Sequence, residues 1–494
     1  MTLDPRTPVI VGVGQFLHRA DGLDDALEPV ALMEQAVLAA AGDAGLSGPP
    51  AADSVRVVSL LSCRYRNASA RLAARLGIEP TELGYTSMGG NSPQSLVNAT
   101  SLDIQAGRLD VAILSGGESW RTFMRARKAD VKLAWDKGES DDEPVIIGKE
   151  LEMNLPEETE RGIYMPVQVY PMFETALRAA SGRSVEEHER HLGKLWSDLS
   201  HVAADNEYAW IRDAKSPEEI TTVTASNRMI GFPYPKYMNS NNDVDMGAAI
   251  IMCSVEAARR LGVPEDRWVF PHSGADCHEH KFVSHRDTFA RTPAIELGGK
   301  AALELAGVGI DDIGIVDLYS CFPAAVQLGA ASLGVDLDRQ WSRTGGLPFG
   351  GGPWNNYVMH AIASVVDDLR EQPGEHGLVW ANGGYATKHA FGVYSTEPPA
   401  AGFRHTEPQD EIDRLPRREL ALPADAAGPA TIEAYTVMFS RDGEPEQPIA
   451  SCLLADGRRA WGTSTDADTA AAMCDGERVG AAITLAPDGT FHLS

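Results

Sequence analysis

Short apolar runs that close on glycine alternate with alanine-rich or charged stretches through most of this chain. PVIVGVGQ (Pro8–Gln15) predicts a buried first strand, and the alanine-rich stretch Pro29–Ala41 predicts a helix ended by Gly42. SVRVVSLLS (Ser54–Ser62) reads as the next strand. A helix from about Pro93 to Ala106 follows, with Ser92 as its N-cap, Pro93 in its first position and Gly107 at its end. Strands alternating with helices predict an α/β fold, a mostly parallel sheet covered on both faces. RLDVAILSGGES (Arg108–Ser119) and GEHGLVWANGGY (Gly374–Tyr385) each run from apolar residues into a glycine pair, which points to one module occurring twice.

The pattern changes from Trp120 to about Asn241, where the chain is charged and helical and Ser184 and Glu187 are spaced as a capping box. This span reads as a large insertion between two strands of the first module. GAAIIMCS (Gly247–Ser254) returns to a buried strand, and a helix (Val255–Leu261) leads into a second module that runs to about Thr396. Glu397–Leu420 is rich in proline and charge and reads as a linker. Beyond it, apolar alternation with Asp-Gly pairs at Asp442–Gly443, Asp456–Gly457 and Asp488–Gly489 predicts hairpins, hence a small all-β domain over about Leu420–Ser494.

A net charge of −27 argues against nucleic acid as a partner and against anionic membranes. A small anionic ligand at a local basic cluster stays open. RTFMRARKADVK supplies one such cluster: Arg121, Arg125, Arg127, Lys128 and Lys132 either hold phosphates or form a solvated face. No apolar run approaches the roughly 18 residues of a membrane span. The six cysteines are scattered without CxxC spacing, and the first residues lack a secretory pattern, so a reduced, cytoplasmic compartment is expected. CHEH (Cys277–His280), with His272 nearby, lacks separated ligands; a surface loop, and no metal, is expected there.

Five motifs carry a family resemblance: GGNSPQSLVNATSLDIQAGRLDVAILSGGES (Gly89–Ser119), MNSNNDVDMGAAIIMCSVEAARRLG (Met238–Gly262), DLYSCFPAAVQLG (Asp317–Gly329), TGGLPFGGGPWNNY (Thr344–Tyr357) and ANGGYATKHAFGVYST (Ala381–Thr396). Over about Thr7–Pro399 the chain resembles the thiolase superfamily, in its sterol-carrier-protein-type branch and its thiolase-like type 1 group. The resemblance implies a five-layered α/β thiolase fold of two βαβαβαββ halves. Residues 1–118 with 242–262 would form the N-terminal half, 119–241 a helical loop domain and 263–399 the C-terminal half. Residues 400–419 would be a linker and 420–494 the group's added β domain. It also implies an acetyl-CoA acetyltransferase-like ancestry in lipid metabolism, with CoA or acyl-CoA as ligand and no tightly bound cofactor. The basic run, Arg121, Arg125, Arg127 and Lys128, would face the nucleotide phosphates, and Asn239, Ser240 and Asn242 the pantetheine arm.

The chain departs from the family at each catalytic position. Gly90 stands at the nucleophile position, Gly352 at the histidine position, Ala381 in place of the proton-shuttling cysteine, and Tyr319 where asparagine or histidine is usual. None of the first three carries a group able to attack a carbonyl or move a proton. Ser92 reads as a helix cap before a nucleophile, and Cys321 as a small buried hydrophobe. Tyr319, Tyr385 and His389 (of the pair Lys388–His389) remain candidate acids or bases for a retro-aldol carbon–carbon lyase, or else pack within their loops. A third reading is a non-catalytic scaffold, monomer or homodimer, that docks a protein through its β domain.

Overall fold

The computed structural model describes residues 3–138 and 142–493. The first half lays down β1 (Pro8–Leu17), α1 (Pro29–Asp43), β2 (Ser54–Val57), α2 (Ala68–Leu76), β3 (Glu82–Thr86), α3 (Ser92–Gln105) and β4 (Val111–Ser119). Helix α1 runs past Gly42; the chain reverses instead at Gly45, whose φ of 74° is left-handed. β-Carbons at Gly12 and Gly14 would overlap the Ala40 and Ala36 carbonyls, so those glycines let α1 lie directly on β1. Ser92 is the first helical residue and not the N-cap. Its hydroxyl donates to the Ser87 carbonyl at 2.8 Å, and Asn91 takes the cap position without a side-chain bond.

The insertion then contributes α4 (Trp120–Lys128), β5 (Val145–Ile147), α5 (Pro156–Glu160), α6 (Pro166–Ser181), α7 (Val185–Asp205), α8 (Pro217–Thr221), β6 (Met229–Gly231) and β7 (Tyr234–Pro235). The capping box at the start of α7 forms both bonds, Glu187 N–H to Ser184 Oγ at 3.2 Å and Ser184 N–H to Glu187 Oε2 at 2.9 Å. β8 (Asp245–Ser254) returns to the first sheet, antiparallel between β1 and β4. The sheet order is β1-β8-β4-β2-β3-β5. β5 runs parallel along β3, pairing Gly84 with Val145 and Thr86 with Ile147, so a strand of the insertion occupies the outer edge.

The second half contains α9 (Val255–Leu261), β9 (Phe270–His278), α10 (Pro293–Ala306), β10 (Ile313–Leu318), α11 (Pro323–Leu333), α12 (Tyr357–Glu371), β11 (His376–Gly383) and β12 (Lys388–Ser395). β4 and β11 occupy equivalent places, each beside the antiparallel strand that follows it, so the two glycine-pair stretches are the same piece of a duplicated module. This half is one strand short of βαβαβαββ. Residues 334–345 are charged and form no strand. Leu318 N–H donates to the Trp341 carbonyl at 3.0 Å, and Arg339 Nη2 to the carbonyls of Ile313 and Gly314 at 2.6 and 2.8 Å, so coil satisfies the edge of β10. α3 and α12 meet between the two sheets, α1 covers the outside of one, and α10 and α11 the outside of the other. The result is five layers.

The rest of the chain forms β13 (Arg404–Thr406), α13 (Gln409–Ile412), α14 (Pro423–Ala426), β14 (Gly428–Phe439), β15 (Pro445–Leu454), β16 (Arg459–Thr463), α15 (Ala467–Cys474) and β17 (Ala482–Leu485). The span read as a linker is structured: β13 joins the second sheet parallel to β9, and His405 Nε2 reaches Asp276 Oδ2 at 2.8 Å. The C-terminal domain is not purely β, because α15 packs on β15. Its sheet continues into the insertion in the order β16-β15-β14-β6-β7. Arg178 on α6 pairs with Glu477 at 2.6 Å, and the Thr175 hydroxyl donates to the Tyr435 carbonyl at 3.0 Å. Arg459, fully buried, binds Glu433 at 2.8 Å and the Ser284 carbonyl at 2.9 Å. An ion pair across the boundary, the bonds from Arg459 to backbone carbonyls of the second half and a shared sheet therefore clamp the C-terminal domain to the loop domain and the second half.

Candidate active site

Four loops converge where the two halves meet: Ser87–Asn91 ahead of α3, Tyr319–Cys321 ahead of α11, the glycine-rich turn 345–354, and the turn between β11 and β12. The Gly89 N–H donates to Asn355 Oδ1 at 3.1 Å, and Asn355 Nδ2 donates to the Ser59 carbonyl at 2.9 Å. Asn356 Nδ2 donates to the Gly116 carbonyl at 2.7 Å. These two asparagines tie the glycine-rich turn to the ends of the first sheet. The sequence reading did not single them out, although NN in a motif loop is a signal for such side-chain-to-backbone ties.

Gly90, Gly352 and Ala381 are all buried. A β-carbon on Gly90 would overlap the Tyr319 hydroxyl oxygen and stand 2.5 Å from the Asn382 carbonyl oxygen. Tyr319, 7% exposed, thus fills the space that a side chain at position 90 would use. Its ring meets Tyr357 edge-on at 5.5 Å, and its hydroxyl has no hydrogen-bond partner among the described residues. Burial, then the neighbouring Cys321, push its pKa well above the ordinary tyrosine value, so the phenol stays protonated. Gly352 is looser, with the Asn241 carbonyl 3.4 Å from where its β-carbon would sit.

The other candidates are placed differently. Tyr385 donates from Oη to Asn154 Oδ1 at 3.0 Å and is raised to about 12 by burial. His389 is fully buried on β12; Trp380 Nε1 donates to its Nδ1 at 3.4 Å, and its Nε2 has no hydrogen-bond partner among the described residues. Burial and then Arg286 hold its pKa near 3, so the ring is neutral and shut away from Gly90's side of the sheet. In the β11–β12 ladder Asn382 faces His389 and Gly383 faces Lys388. His389 and Lys388 therefore point to opposite faces, and only Lys388 looks toward the Gly89–Gly90 turn. Cys321 is buried with its thiol raised to about 12 by burial, which leaves it protonated and a poor nucleophile.

Asn239 Nδ2 donates to the Pro235 carbonyl at 2.8 Å and Ser240 Oγ to the Cys321 carbonyl at 3.1 Å. The Asn242 carbonyl accepts from Val244 N–H at 2.9 Å, and Gly352 N–H donates to Asn241 at 2.9 Å. That segment lies against the site. The basic run on α4 divides. Arg121 pairs with Asp243 at 3.2 Å and Arg125 donates to the Ala20 and Asp21 carbonyls at 2.8 and 2.6 Å, whereas Arg127 and Lys128 are exposed. CHEH is not a surface loop. Glu279, 3% exposed, accepts from His280 and Ala294 N–H groups at 2.9 and 3.2 Å and so caps α10, while His278 and His280 turn to backbone carbonyls. A cleft of about 790 Å³ opens between α7, residues 337–343 and the end of α12, but neither Gly90 nor Ala381 lines it.

Two halves of this topology, meeting through paired central helices with a site at the seam, define a member of the thiolase superfamily. The additional C-terminal domain of thiolase-like protein type 1 matches residues 407–490. A monomeric SCP2-thiolase-like protein type 1 from Mycobacterium smegmatis is 34% identical over the whole of both chains, with a TM-score of 0.84. This chain belongs to that type 1 family. The structure of an Ltp2–ChsH2(DUF35) aldolase is 20% identical over 79% of this chain and 98% of its own, with a TM-score of 0.59. Human mitochondrial 3-ketoacyl-CoA thiolase in complex with CoA is 18% identical over 80% of this chain and 99% of its own, with a TM-score of 0.55. These two share the fold. A search of curated proteins returns no significant relative.

Proposed function

We propose that this protein binds CoA thioesters without carrying out thiolase turnover. The Tyr319 hydroxyl, lying where any side chain at position 90 would have to go, is the observation that carries this reading. With Gly352 and Ala381 at the histidine and second cysteine positions that the resemblance implies, neither supplies a thiol or imidazole to a bound carbonyl. Arg127 and Lys128 on α4 support phosphate contact, being exposed and set within an otherwise acidic chain. The segment around Asn239 and Ser240, packed against Cys321 and the Gly352 loop, supports a pantetheine path, and the human thiolase above was solved with CoA. Titration calorimetry with CoA and acetyl-CoA should give saturable binding, weakened about tenfold or more when Arg127 and Lys128 are both changed to Glu, given the strength of charge-assisted phosphate contacts. Flat heats with every thioester would end the reading.

One observation favours a second reading. The Tyr319 phenol, protonated and with no hydrogen-bond partner among the described residues, is a proton donor suited to retro-aldol cleavage of a 3-hydroxyacyl thioester. Of the three candidates, His389 fits least, because it is neutral and faces away. Release of an aldehyde or ketone from 3-hydroxyacyl-CoA, lost in Tyr319→Phe, would favour this reading over simple binding.

A further inference from the structure

We propose that Lys388 is a covalent carbonyl-capturing amine, forming a reversible imine with an aldehyde or ketone at the seam between the halves. The placement is specific. Lys388 is 7% exposed, at the start of β12, and its Nζ lies 2.8 Å from where a β-carbon on Gly89 would sit. Its Nζ donates to the Met88 carbonyl, and no carboxylate forms an ion pair with it among the described residues. Most buried lysines are paired. Asn91 Oδ1 converges on the same point beside Gly89; it is buried and has no donor among the described residues.

The cover over this amine is light. Met88 is 48% exposed. The segment 148–154 crosses above it, held by Met88 N–H to Glu150 Oε1 at 2.7 Å and by Tyr385 to Asn154. Burial lowers the Lys388 pKa and Glu150, the charged group acting on it, opposes that shift, so the neutral amine is more available than on an exposed lysine. The step balances without a redox partner. Nitrogen adds to the carbonyl carbon, the C=O π pair moves to oxygen, and the proton leaving nitrogen passes to that oxygen through water. The hydroxyl then takes a second proton from solvent water, the one that the ammonium form of Lys388 had released, and departs as water while the nitrogen lone pair forms the C=N bond. The resulting N–H⁺ would give Asn91 Oδ1 the donor it lacks. This proposal does not depend on CoA binding, because its probe is a free carbonyl compound.

The test is reductive trapping of the full chain with acetaldehyde and sodium cyanoborohydride near neutral pH, followed by peptide mass mapping over time. Lys388 should be ethylated several-fold faster than exposed Lys149 and Lys300, the direction expected of an amine more often neutral. Lys388→Arg should remove the fast phase, Tyr319→Phe should keep it, and Glu150→Gln should quicken it by removing the opposing charge. Labelling of Lys388 no faster than Lys149 would overturn the proposal, as would a fast phase that persists in Lys388→Arg. The wild-type map alone decides the matter if that variant does not fold.

Discussion

At the scale of single residues, the space beside Gly90 decides what a side chain there could do. Placing a thiol at position 90 with Gly90→Cys should not confer thiolysis, since the new side chain meets the Tyr319 hydroxyl and the Asn382 backbone. Overpacking of this kind costs about 1–3 kcal/mol. The variant should therefore melt lower and show no thiolysis of acetoacetyl-CoA; an active, equally stable variant would contradict the geometry. His389 gives a second residue-level expectation. Its folded pKa of about 3 lies below the unfolded value, so the stability it contributes is present above about 6.5 and lost as pH falls toward 3. Arg286 and His278 are the charged or titratable groups that act on it. The stability difference between wild type and His389→Gln should shrink by about 1.4 kcal/mol per pH unit between 6.5 and 4.5. Denaturant melts across that range would show it, and a pH-independent difference would refute it.

At the scale of elements, the long buried strands and the capped helices were legible in sequence because their signals are local. β8 is a continuous apolar run, and α7 announces itself through Ser184 and Glu187. β13 was not legible: RHT is three polar residues whose strand state comes only from pairing with β9. The missing strand after α11 escaped notice because a duplicated pattern invites the assumption of equal halves. The empty side-chain position at Gly90 was readable from its motif. That Tyr319 fills it was not, since the contact joins loops far apart in the chain. β5 carries the element-level prediction. It pairs with β3 and so covers that strand's outer edge. Ile146→Pro should break that pairing and expose the β3 edge. Sedimentation should then show concentration-dependent association absent from wild type.

At the scale of the molecule, the C-terminal domain is a structural member of the whole. Arg459 holds Glu433 and, through backbone carbonyls, the segment 283–286 that also carries Arg286 beneath the β11–β12 turn. Arg459→Met leaves Glu433 largely buried without its main partner, a change expected to cost about 3–5 kcal/mol. Removing residues 407–494 should do more, exposing α6 and the edge of β6, and the shortened chain should bind hydrophobic dyes and aggregate. A truncated chain with an unchanged melting temperature would show that the clamp is dispensable. Among the described residues no helix is long and apolar enough to cross a membrane.

The sheet shared between β6 and β14 ties residues near position 230 to residues near 438. During synthesis, therefore, the insertion leaves the ribosome with the flank of α6 uncovered and must wait for some two hundred further amino acids before its partner emerges. Local helices such as α7 can form in that interval, but the clamp cannot. Slow translation or a stall in the last fifth of the message would leave a thiolase-like body open along one side, exposed to chaperones and proteases.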